Sequence, residues 1–246
     1  MFANLFTQNT ERAPPHAFYR PYKSAGINQL YNLLFCDNFS LFANGDALAG
    51  PLVEVLSDTP DREELERIGN DLDVESRVRA LAFRRLQAMK VSVPTGRLLG
   101  VIIEWPQQSG LDVLAAFPDG RLRYINHAEK LATVESASPA LIEQAGELLR
   151  VSQPIVDRSG PWDRPRLPPP EGDLIRMNFL VSDGLYFGQG SYSALMEDAF
   201  APPVINGAMR LLHMLVDAAL AKDKKSRVLH SGASGNHQYD NPRVFL

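Results

Sequence analysis

The chain has one cysteine, Cys36, among 246 residues. A lone thiol closes no intramolecular disulfide. Its place inside the apolar run LYNLLFCDNF reads as a buried, inert side chain rather than a nucleophile. Paired cysteines, an HExxH helix and clustered carboxylates are missing, so neither a metal nor a cofactor is expected. The histidines are few: His230 and His237 match no metal spacing, and His213 with Asp217 reads as an exposed helical contact rather than a general base. Ser191 and Ser193 lack the GxSxG elbow of a serine nucleophile. No apolar run reaches the length of about 18 residues that a membrane-spanning helix needs. The opening MFANLFTQNTERAPPH has neither the basic nor the apolar region of a secretory leader, so a cytoplasmic, reducing setting is expected.

Concentrated charge of one sign is lacking as well. The formal net charge is −4, with 25 basic and 29 acidic residues. The densest basic stretch (Arg77, Arg79, Arg84, Arg85 and Lys90) follows acidic turns on a helix, which reads as a solvated face, so nucleic acid is not an expected partner.

What the sequence has is apolar material for a core, 45% of residues, with an ordered succession of strand and helix signals. Residues 97–136 read as a β-meander. In its first strand Leu99, Val101, Ile103 and Trp105 are expected on one face, with Leu98 and Ile102 on the other. Apolar residues on both faces predict a central or helix-covered strand. Pro118–Asp119–Gly120 and His127–Lys130 mark turns before a third strand, Arg121–Asn126, and a fourth, Leu131–Glu135.

Helices are expected around this meander. Ser24 caps one beginning near Ile27 and continuing weakly through Phe39 and Phe42 to Asn44–Gly45. Asp61 opens a second with Leu65, Ile68 and Leu72 on one face, and Asp73 caps a third that faces Val78, Leu81, Ala82, Leu86 and Met89 inward. Ser138 with Pro139 starts a fourth that ends before Pro154. After a proline-rich strap at 160–173 comes a strand from Ile175 to Val181, then a short extended stretch, Leu185–Phe187, and a flexible loop, Gly188–Gly190. A short helix at Ser193–Asp198 precedes a long one from Pro202–Pro203 to about Ala221. That long helix carries one apolar row, Ile205, Met209, Leu212, Val216 and Ala219, beside a second formed by Val204, Ala208, Leu211 and Leu215. The organisation predicted is an irregular arm at 1–24, one α+β domain at 25–221 and a polar tail at 222–246. The domain is an antiparallel meander sheet of about five or six strands with helices packed on it.

Three groups of residues invite a functional reading. The stretch SDGLYFGQGS at 182–191 offers Asp183, Gly184, Tyr186, Gly188, Gln189 and Gly190 to a ligand, although it lacks the spacing of a phosphate-binding loop. Arg121 and Arg123 on one strand can hold a carboxylate or phosphate, since the guanidinium fork matches both. Trp162, Arg164 and Arg166 in the strap can face a partner, or can fasten the strap to the body through an acid.

The stretches GVIIEWPQQSGLDVLAAFPDGRLRYINHAEKLATVE, GPWDRPRLPPP and FLVSDGLYFGQG together resemble a family of uncharacterised bacterial proteins of about this length, from Asn28 to Ala221. The resemblance implies a bacterial, single-domain protein and assigns no residue a role. The expectation is a non-catalytic module that binds a partner protein or forms a homo-oligomer. The alternative is a protein or enzyme that binds a small anionic ligand at 182–191.

Overall fold

A computed structural model of the protein describes residues 18–43 and 50–231, with side chains through residue 220. The expected helix stop at Asn44–Gly45, most of the N-terminal arm and the tail beyond residue 231 lie outside the described residues.

Five helices lead the described chain: α1 (Ala25–Leu33), α2 (Ser40–Ala43), α3 (Pro51–Val55), α4 (Arg62–Asn70) and α5 (Ser76–Ala88). The Ser24 hydroxyl and the Asp61 carboxylate accept from backbone N–H groups of Ile27 and Glu64, so both expected caps form. The helix expected through Phe42 breaks earlier: α1 stops at Leu33, and Cys36 takes a left-handed φ of 51°. Asp73 does not cap α5. The first turn of α5 is met from elsewhere, because the Asp119 carboxylate in the meander accepts from Ser76 N–H at 2.7 Å. Leu72 and Met89 are exposed rather than inward: Leu72 falls beyond the end of α4, and Met89 is the C-cap of α5.

The meander follows as β1 (Leu98–Gln107), β2 (Gly110–Ala116), β3 (Leu122–Ile125) and β4 (Leu131–Val134). Then come α6 (Pro139–Val156), β5 (Leu174–Val181), β6 (Gly184–Ser191), α7 (Tyr192–Glu197) and α8 (Ala201–Ser231). All six strands form one antiparallel sheet in the order β4-β3-β2-β1-β5-β6, so this is an α+β fold with β1 near the centre.

Both faces of the sheet are covered. On one face Val101, Ile103, Leu114, Met177 and Phe179 pack with residues of α6, α7 and α8. On the other, Ile102, Val113, Ala115 and Leu180 pack with residues of α1, α4 and α5. Leu99 belongs to this second core, against the expectation from simple alternation. The pairing of β1 with β5 slips between Leu98 and Gly100, and the extra residue turns Leu99 to the opposite face from Val101.

Boundaries later in the chain also differ from the expected ones. Helix α6 continues through Pro154; the proline withholds the N–H that the Arg150 carbonyl would accept, but Ile155 and Val156 beyond it still pack in the core and carry the helix on. The expected loop Gly188–Gly190 is part of regular strand β6, paired residue for residue with β5. A Cβ at Gly190 would lie in ordinary contact with Leu195 of α7, at 3.4 Å. Helix α8 runs to Ser231, beyond the expected end at Ala221.

Candidate functional site: the strap and its cleft

One end of the second core is polar. Glu104 of β1 stands opposite Arg176 of β5, which stands opposite Gln189 of β6, so the three form a row across the sheet. Asn178 is in the adjacent row, opposite Ile102. Glu104, Arg176 and Asn178 are all buried. Buried charge is tolerated only when paired and hydrogen-bonded, and here each group has partners. The Glu104 carboxylate accepts from Tyr31 Oη at 2.7 Å and Asn178 Nδ2 at 2.9 Å, with Arg176 Nη1 at 3.8 Å. Arg176 Nε donates to Gln189 Oε1 at 3.0 Å, and its Nη1 donates to the Pro168 carbonyl at 2.6 Å. Burial pushes the Tyr31 hydroxyl well above its ordinary range, helped by the Glu104 charge. Burial also lowers the Arg176 guanidinium, opposed by Glu104.

The strap at residues 160–170 completes this network. Its entry is fixed at the sheet edge, where Trp162 N–H donates to the Leu185 carbonyl of β6 at 2.7 Å. The Trp162 ring meets Phe187 edge-on at 5.0 Å, and its indole N–H donates to the Pro165 carbonyl. Gly184 lets the strap pass close, since a Cβ there would lie 2.9 Å from Pro161 Cβ.

Arg166 then turns inward. Its Nε donates to Asp37 Oδ2 at 2.8 Å and its Nη2 to Asn32 Oδ1 at 2.8 Å, and Nη1 lies 3.3 Å from Tyr31 Oη. Tyr19 Oη donates to the Arg166 carbonyl at 2.5 Å. Burial works against the Arg166 charge, but Tyr31, Asp37 and Glu104 together raise its affinity for the proton. The fastening of the strap through an acid is therefore made by Arg166 and Asp37.

Outside this fastening is a cleft of about 610 Å³, lined by Asp37, Arg84, Gln87, residues 161–166 and residues 183–185. Of its three carboxylates, Asp163 is exposed, and Asp37 and Asp183 are engaged within the protein, although Asp37 Oδ1 is buried with no partner among the described residues. Asp183 Oδ1 accepts from Gly96 N–H and Oδ2 from Tyr186 Oη, while Asp37 Oδ2 is held by Arg166. Burial, with the hydrogen bond to Asp183, pushes the Tyr186 hydroxyl up to about 12. The cationic side is less engaged. Arg84 is half-buried and makes no hydrogen bond or ion pair among the described residues. Arg164 is exposed, with Asp163 at 3.8 Å and the Trp162 ring at 5.4 Å.

The expected ligand set is divided by this geometry. Asp183 and Gly184 line the cleft, but Tyr186 is packed in the first core while Gln189 faces the opposite side toward Arg176. Gly188 and Gly190 are strand positions opposite Met177 and Ile175. Arg121 and Arg123 lie at the other end of the sheet and already share a carboxylate: Glu135 accepts from Arg121 Nε at 3.1 Å and Arg123 Nη2 at 2.6 Å. The strap residues do come together, with Trp162, Arg164 and Arg166 all lining the cleft.

Sequence reasoning missed Tyr31, Asn32, Asp37, Arg84, Glu104, Arg176 and Asn178. A signal existed for three of them: Glu104 interrupts GVIIEWP, and Arg176 and Asn178 alternate within LIRMNFLV, where an inward face should be apolar. Among the described residues no group of three or more His, Cys, Asp or Glu could hold a metal, and no helix is long and apolar enough to cross a membrane. The sequence matches no family model, and no curated protein or solved structure matches it.

Proposed function

We propose that the chain is a non-catalytic protein-interaction module that recognises an acidic segment of a partner at the strap cleft. The observation that carries this reading is Arg84, a half-buried guanidinium with no acid of its own among the described residues, on the same cleft as Arg164 and Trp162. A guanidinium withdrawn from water gains most from a carboxylate that fits its fork. The cleft wall is held by the Arg166 network, so little ordering is needed when a partner docks. The acids that could serve chemistry at this place, Asp37 and Asp183, hold the strap and the 96–97 turn instead. This favours binding over catalysis.

Titration of Trp162 fluorescence with a peptide of alternating Glu and Gly tests the reading, with free glutamate and inorganic phosphate as separate arms. The expected result is saturable binding of the peptide, weakened about tenfold by Arg84→Ala, which corresponds to about 1.4 kcal/mol. Equal binding by wild type and Arg84→Ala would remove the proposal. Phosphate binding as tightly as the peptide would replace it with a small-anion site.

A further inference from the structure

Helix α8 buries one side and leaves another without a partner. Val204, Ile205, Ala208, Leu211 and Leu215 are in the core. Met209, Val216 and Leu220 are large apolar side chains that remain 38%, 37% and 49% exposed. With exposed His213 they form a single line, spaced four, three and four residues apart. That is the 3.5-residue repeat with which one helix lies along another. The charged residues beside the line are Arg210 and Asp217, both exposed and one heptad apart.

We infer that this line is a self-association surface and that its occupant is α8 of a second copy of the chain, running antiparallel. The charges select this occupant and orientation. An antiparallel seam that sets Met209 against Leu220 of the partner subunit, and His213 against Val216 of the partner subunit, brings Arg210 alongside Asp217 of the partner subunit. Two-fold symmetry makes the same contact again in the other direction, so one surface complements itself. A parallel seam places like residues side by side and leaves Arg210 and Asp217 on separate flanks. Within its own chain, Arg210 feels the Glu147 carboxylate of α6, but Glu147 is already hydrogen-bonded to Arg150 through both oxygens at 2.7 Å. His213 in the middle of the line weakens the seam relative to an all-apolar one and fixes its register, as single polar seam residues do. The surface is separate from the strap cleft, which is built on the opposite face of the sheet.

Light scattering coupled to size exclusion, on the full chain over about a hundredfold range of concentration, reads this directly. The expected result is a concentration-dependent dimer. Val216→Glu abolishes it. Arg210→Glu and Asp217→Arg each weaken it by about tenfold or more, because each places like charges together twice. The double variant R210E/D217R restores the dimer, which a merely structural role for either residue would not produce. Circular dichroism melts at concentrations where wild type is monomeric should match for Arg210→Glu, Asp217→Arg and the double variant, since both side chains are exposed in the monomer. A chain that stays monomeric throughout, a dimer indifferent to Val216→Glu, or a double variant no tighter than the single ones would overturn the inference.

Discussion

The guanidinium carbon of Arg166 lies 3.8 Å from the centre of the Phe35 ring, while its Nε donates to Asp37 two residues further along the chain. The cation is thus held by an aromatic face and a carboxylate at once, with its side chain 2% exposed. Removing one member of such a buried pair leaves the other uncompensated. Arg166→Met is expected to cost about 3–5 kcal/mol of stability. Arg166→Lys should recover little of this loss, because a point charge cannot span Asp37 and Asn32 together. Urea denaturation measures both, and a loss under about 1 kcal/mol for Arg166→Met would mean the network is not holding the strap.

The Asp119 carboxylate supplies the cap that helix α5 lacks locally, and it also lies 3.2 Å from Arg121. Asp119→Ala should therefore lower stability by about 1 kcal/mol or somewhat more, within the range of N-cap removals. Asp73→Ala, at the position local sequence rules would choose, should change it by less than about 0.5 kcal/mol. Equal effects from the two substitutions would contradict the assignment. The denaturation midpoints of the two variants decide it.

This contrast shows what local sequence could and could not convey. Ser24, Asp61 and Ser138 were legible as caps because each acts on an N–H three residues away. The strands were legible from apolar runs between turn residues. The bulge at Leu99 was not, since only its pairing with β5 reveals the extra residue. Gly188 and Gly190 suggested a loop because glycine is common there, yet both are regular strand positions paired with Met177 and Ile175. The strap was recognisable by its prolines, and a fastening through Arg164 or Arg166 to an acid was expected; the structure selects Arg166. Which acid depended on a contact between residues 129 apart, and that Arg84 would share the cleft depended on the packing of separate segments.

Two helix glycines should respond in opposite directions. A Cβ at Gly69 would stand 2.8 Å from the Phe83 ring, whereas nothing lies within 4 Å of one at Gly146. Gly69→Ala should destabilise by about 1–3 kcal/mol through overpacking. Gly146→Ala should stabilise by about 0.5–1 kcal/mol through helix propensity. Thermal melts of the pair provide the comparison, and a stabilising Gly69→Ala would show that Phe83 yields freely.

Alkaline pH should weaken the fold in a defined order. Burial pushes the Cys36 thiol from 9.0 up to about 12, and the Tyr31 hydroxyl well above 10.0. Both groups are held neutral in the folded chain and release their protons earlier in the unfolded one. Their contribution is therefore complete below about pH 9 and is lost as pH rises, first through Cys36 and then through Tyr31. Urea midpoints should fall from about pH 9 upward, and Cys36→Ala should flatten the first part of that fall. A midpoint independent of pH across this window would refute the assignment.

The Arg166–Asp37 contact joins positions 129 residues apart and encloses the whole meander and helix α6 between them. In folding terms it is among the least local contacts in the molecule. Closing so long a loop carries a larger entropy cost than any local contact does. The cleft wall depends on that closure, since residues 161–166 line it. A nick in the strap would leave two pieces, each missing part of one buried polar network, so the fold has no natural cut at its proline-rich segment.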